Sequence, residues 1–138
     1  MQQYEHRSFN KYLLTFYQMN KINDLPNILS VFPLSNFIFF PNTSAPLNIF
    51  EPRYIQMIDE SIKSNRMIGM LQPKGVSNSK KPELFKVGCL GKISSFNETD
   101  DGRYVIVLNG ITRFNLVEEI DNGKLFREFK INYKGFES

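Results

Sequence analysis

The sequence has few of the residues on which catalytic centres are usually built. It holds one cysteine, Cys89. A single thiol makes neither an internal disulfide nor a zinc site of the usual ligand count, which favours a reducing, cytoplasmic setting. It holds one histidine, His6, near the N-terminus, so a Ser-His or Cys-His pair inside the domain is excluded. There is no G-x-x-x-x-G-K-[ST] phosphate loop, and nothing points to ATP hydrolysis. No apolar run approaches the roughly 18 residues of a membrane span. The first stretch, MQQYEHRSFNKYLLTFYQM, lacks the continuous apolar core of a signal peptide. The sequons at Asn42 and Asn97 are then chance matches. Charge of one sign is also scarce: 17 Lys and Arg against 14 Asp and Glu leave a net +3. That excess is dispersed and by itself implies no nucleic acid. The densest basic stretch, PKGVSNSKKP at 73–82, has three lysines and no acid. It reads as a solvated loop, or as a site for an acidic partner.

What is present is apolar and aromatic. Thirteen Phe and six Tyr fall in a chain of 138 residues that is 41% hydrophobic, the size and composition of one globular domain. Residues 1–24 stand apart as a peripheral segment. In it Phe9, Tyr12, Leu13, Phe16 and Tyr17 recur at helical spacing and predict a short amphipathic helix. From 25 to 138 the pattern is mostly strand. LSVFPL, FIFF and APLNIF are three short apolar runs separated by Ser35-Asn36 and Pro41-Asn42. Phe37 and Phe39 would point one way and Ile38 and Phe40 the other, as in strands buried on both faces or closed into a barrel. MIGMLQ, VGCLGKISSF, RYVIVLNGITRFNLV and LFREFKINY continue the series. In the last, Leu125, Phe129, Ile131 and Tyr133 are expected on one face. Asp101-Gly102 signals a hairpin. Gly88, Gly91 and Gly110 interrupt strands, where glycine marks a bulge, a bend or a close backbone approach. The expected class is mainly β with one internal helix.

That helix begins in FEPRY, Phe50 to Tyr54. Pro52 suits the first helical turn, and Glu51 suits the positive end of the helix dipole. Tyr54, Ile55, Ile58 and Ile62 would line one face to about Ser64. Helix-start chemistry accounts for Glu51 and Pro52. It does not require Arg53 or Tyr54, which are either folding residues or the border of a binding surface.

No catalytic set emerges. Cys89, between two glycines on an apolar strand, reads as a buried structural thiol. Ser-x-x-Lys at 8–11 and 77–80 is short enough to be chance. Glu98, Asp100 and Asp101 are either solvated turn residues or a weak cation site. No cofactor and no metal is expected. Binding remains, through exposed members of the Phe cluster or through an unpaired strand edge.

Three motifs in order carry a resemblance: LSVFPLSNFIFFPNTSAPLNIFEPRYIQMI, then IGMLQP, then VGCLGKISSFNETDDGRYVIVLNGITRF. Residues 29–133 resemble the N-terminal substrate-binding domain of ATP-dependent Lon proteases. They are most similar to stand-alone bacterial proteins with this domain and no ATPase or protease. The eukaryotic protein cereblon contains a relative. The resemblance implies a PUA-like pseudo-barrel of mostly antiparallel strands. It implies a non-catalytic module that binds unfolded client proteins or peptides, works with a separate protease or ATPase, and forms a homo-oligomer. The family's downstream helical region is expected to be absent, through truncation or a natural short form. The family's Ser-Lys dyad lies in another domain, so the two Ser-x-x-Lys matches inherit nothing from it. Candidate peptide-binding residues are Phe37, Phe39, Phe40, Phe50, Arg53 and Tyr54. Candidate structural residues are Glu51, Pro52, Gly88, Gly91, Gly102, Gly110 and Arg113. The alternative is an RNA-binding PUA-like domain, against which the scattered basic residues argue.

Overall fold

A computed structural model describes residues 24–75 and 81–137. The expected N-terminal helix, His6 and both Ser-x-x-Lys matches lie outside the described residues. Six strands and one helix follow in order: β1 (Ile28–Pro33), β2 (Ser44–Ile49), α1 (Pro52–Ile62), β3 (Met67–Leu71), β4 (Val87–Glu98), β5 (Tyr104–Ile120) and β6 (Arg127–Asn132).

β5 is the spine, because it is long enough to take different partners along its length. One edge pairs with β4 over residues 104–115. The other pairs with β2 over residues 104–109 and with β6 over residues 115–120. β4 continues to β3, β3 to β1, and β1 to β6. Five strands thus close a ring, β5-β4-β3-β1-β6, and β2 hangs on β5 beside it. Closure removes the edges of the five ring strands, while β2 pairs on one side only, with β5. All pairings are antiparallel except β1 with β3.

Alternation along the strands divides the apolar side chains between two cores. One contains Leu29, Val31, Leu71, Leu90, Phe114 and Ile131. On the opposite face lie Phe32, Ile68, Met70, Ile93, Ile106 and Leu108, covered by Tyr54, Met57 and Ile58 of α1. β3 is buried along its whole length, as a strand with a core on each side must be.

Three expectations are corrected. FIFF is not a strand: residues 37–40 form a loop. Asn36 and Asn42, at its two ends, take left-handed φ values of 58° and 64°, which turn the chain. The carbonyl of Phe40 accepts from Thr43, through N–H at 3.3 Å and Oγ1 at 2.7 Å, and not from a ladder partner. Second, β2 is not buried on both faces. Leu47 and Ile49 point inward while Ser44, Pro46 and Asn48 are exposed. Third, Leu125 is exposed and Phe126 is buried in its place. β6 begins only at Arg127, and the bend before it shifts the phase.

Candidate functional site

α1 starts as its sequence requires. Glu51 is the N-cap with extended backbone, and Pro52 follows in the first turn. The Glu51 carbonyl accepts from the Tyr54 and Ile55 amides at 3.0 and 2.9 Å. Its carboxylate accepts from Arg53 Nε at 2.9 Å. The buried side chains of the helix are Tyr54, Met57, Ile58 and Ser61. Ile55 and Ile62 are partly buried against the same core. Tyr54 is only 6% exposed.

The loop at 37–40 builds an apolar groove. Phe37 and Phe39, ring centroids 5.8 Å apart, pack toward the α1-covered core. Ile38 and Phe40 turn outward, 69% and 48% exposed. The loop is fixed from beneath. Gln72 Nε2 donates to the Phe37 carbonyl at 3.1 Å. The Asn42 amide donates to the Gly110 carbonyl at 2.9 Å, and the Gly110 amide donates to the Thr43 carbonyl at 2.8 Å. Gly110 sits opposite Gly91 across β4 and β5, at a bulge that sets Leu90 against Thr112. A Cβ on Gly110 would lie 2.1 Å from the Phe40 carbonyl oxygen, and one on Gly91 would lie 3.0 Å from the Phe39 ring. The glycine pair is therefore the seat on which the loop rests.

The groove has a volume of about 160 Å³ and opens to solvent between this loop and the start of β4. Met70, Leu71, Gly88 and Cys89 line it with the loop, and Val87, Gln72 and Arg113 complete its wall. Burial pushes the Cys89 thiol up to about 12, against a smaller lowering by the Arg113 charge. The thiol is not poised as a nucleophile at neutral pH.

A second, larger cleft of about 1,010 Å³ lies between the start of α1 and the β5–β6 turn. Two of its cations, Arg127 and Lys124, are already paired. Arg127 donates to Glu119 through Nε and Nη2 at 3.0 and 2.9 Å, and through Nη1 to the Pro82 carbonyl at 2.8 Å. Lys124 contacts Glu60 at 3.0 Å and Glu128 at 3.3 Å.

The structure divides the candidate binding residues. Phe37, Phe39 and Phe40 share the groove with Gly88 and Arg113. Arg53, Glu51 and Pro52 line the second cleft. Phe50 is exposed and lines neither of these two, and Tyr54 lies in the core. Gly102, with φ of 85°, closes the β4–β5 turn. There Asp101 accepts from Thr99 and from Arg103 Nε. These hydrogen bonds, that from Thr99 first, hold its carboxyl below the ordinary range. Among the described residues no group of three or more His, Cys, Asp and Glu is placed to hold a metal. None of their helices is long and apolar enough to cross a membrane. The groove also uses Ile38, Met70, Gln72 and Val87, which sequence reasoning did not single out. Val87 carried one usable signal, an apolar residue beginning a strand just after Phe85.

Known proteins agree with this architecture. Residues 28–134 match the family model of the ATP-dependent protease La (LON) substrate-binding domain. The Lon protease of Syntrophus aciditrophicus is 27% identical over 112 residues, covering 78% of this chain. Lon protease 1 of Bdellovibrio bacteriovorus is 32% identical over 94 residues, covering 67% of it. The chain spans only 14% and 12% of the length of those two relatives. Among solved structures, a Lon N-terminal domain protein from Xanthomonas campestris aligns over 78% of this chain and 59% of its own. Its TM-score is 0.62 and its identity 20%. The N-terminal domain of a Mycobacterium avium complex Lon protease aligns over 76% of this chain and 53% of its own, with TM-score 0.57 and 14% identity. At such identities these two attest the fold, a mainly β domain with one helix. With the family model covering most of the described residues, the chain belongs to the Lon substrate-binding domain family.

Proposed function

We propose that this domain is a non-catalytic module that binds unfolded protein segments in the groove beside residues 37–40. One observation carries the reading. Ile38 and Phe40 are held out in solvent, on a loop fixed to the barrel through Gln72, Thr43 and Gly110. Large apolar side chains gathered at the lip of an apolar groove, here with half-exposed Val87 on the facing wall, form a patch of the kind that marks binding sites. Family membership supports the same class of ligand. Bound clients would pass to a separate ATPase or protease. The RNA reading is weakened because Arg53, Lys74, Arg103, Lys124, Arg127 and Lys130 are each in ion pairs.

The test is an amide NMR titration of the whole chain with an unfolded peptide containing Leu and Phe. Shifts are expected at residues 37–41, 70–72, 87–89 and 113. Phe40→Asp should abolish them while leaving the melting temperature unchanged. Absence of any shift at high micromolar peptide would overturn the reading.

A further inference from the structure

We propose that the groove selects apolar segments that carry an acidic side chain nearby, and that Arg113 makes the selection. The inference rests on the peptide-binding reading and adds a substrate class to it. Arg113 is directly opposite Cys89 across β4 and β5, and it forms part of the groove wall. Its charge lowers the Cys89 thiol, a smaller effect than the burial that raises it. No described carboxylate pairs with it, whereas Arg53, Arg103 and Arg127 are each paired with a described carboxylate. The cations of the second cleft differ on this point, because Arg127 and Lys124 are already bound to Glu119, Glu60 and Glu128. An added carboxylate would find little uncompensated charge beside those two.

The shape limits the apolar part. A volume of about 160 Å³ is below the roughly 300–1,000 Å³ of small-molecule sites. It suits one large side chain of an extended segment lying between Phe40 and Val87. The guanidinium beside it presents planar donors that match a carboxylate. The groove is open, so the chain can run on in both directions, which favours an internal Asp or Glu over a chain terminus. An exposed Arg-carboxylate contact is modest in strength, so it selects among apolar segments and does not replace the apolar contact.

The test uses fluorescence anisotropy with the whole chain and three labelled peptides, acetylated and amidated at their ends. All share one Leu-Phe core in Gly and Ser, with Asp, Ser or Lys placed two residues from it. The expected order of affinity is Asp, then Ser, then Lys, with about a three- to six-fold gap between Asp and Ser at low salt. The gap should shrink in 0.5 M salt. Arg113→Gln should equalise the Asp and Ser peptides, while Arg113→Lys keeps the order. Equal binding of all three by the unmodified chain overturns the selection and leaves the peptide-binding reading standing. No binding of any peptide overturns both. Self-association that Phe40→Asp abolishes and the peptides do not reverse also overturns it, giving the groove to a second copy of the chain.

Discussion

The ring of Tyr54 lies against the ring of Phe32, centroids 4.2 Å apart and planes 17° from parallel. The stack joins the first turn of α1 to β1. It places the last residue of FEPRY inside the core, and the Arg53 guanidinium lies over the same ring, 4.7 Å from its centroid. Burial raises the Tyr54 phenol above its ordinary value. The motif reads as a helix start whose aromatic residue nails the helix to the barrel.

Truncating the two residues should therefore have unequal effects. Tyr54→Ala removes a buried ring and should cost about 3–5 kcal/mol. Arg53→Ala breaks an ion pair whose partners are 36% and 45% exposed, and should cost less than about 1 kcal/mol. Urea denaturation of both variants checks the ranking. Equal losses would mean that the arginine carries the motif.

The glycine seat makes a graded prediction. Gly110→Ala brings a Cβ against backbone, 2.1 Å from the Phe40 oxygen, whereas Gly91→Ala meets the edge of a ring at 3.0 Å. Backbone cannot step aside as a side chain can. The first substitution should cost about 2–3 kcal/mol and the second about 1 kcal/mol. Amide spectra should show the Gly110 variant disturbed at residues 37–43 and in its peptide binding.

Cys89 should be inert while the domain is folded. It is buried, and burial pushes its thiol up to about 12, so almost no thiolate exists at pH 8. Iodoacetamide should modify the native chain at least on the order of 100-fold more slowly than the urea-unfolded chain. Similar rates would show that the floor of the groove opens freely.

The Glu119–Arg127 pair should be visible in acid. Hydrogen bonding by Arg127 holds the Glu119 carboxyl below its ordinary value of 4.5. A depressed carboxyl stabilises the fold above that value and loses the contribution as pH falls through the folded-state value. Glu119→Gln should lower the melting temperature at pH 7, by about 1 kcal/mol or less in stability. The gap from the unmodified chain should close as the pH falls below 4.5. A gap that persists at pH 3 would assign the loss to packing.

Much of this protein was legible along the chain. Pro52 after Glu51 located the start of α1, Asp101-Gly102 located the β4–β5 turn, and Gly91 and Gly110 located the bulge. Each rests on backbone chemistry local to a few residues, which neighbours in space do not override. The family could be read for the same reason, from three motifs in order. FIFF was not legible as a loop, because four apolar residues in a row satisfy a strand pattern equally well. What decided it was Asn36 and Asn42 turning left-handed, and hydrogen-bond partners 35 and about 70 residues away in Gln72 and Gly110. Phe126 replacing Leu125 in the core is a one-residue phase shift of the kind that only strand register reveals.

The sequence alone determined the class of the domain: mostly strands with one internal helix, and a phenylalanine-rich stretch ahead of that helix. Those follow from residue type and short spacing. The tertiary structure alone decided which phenylalanines face solvent. Phe39 is drawn down onto Gly91 while Phe40 stays out, although the two are neighbours of one kind. It also decided that Arg113 would stand beside Phe40, Val87 and Cys89 without a described carboxylate to pair with. Exposure and charge compensation depend on what distant strands bring alongside, and no local pattern records that.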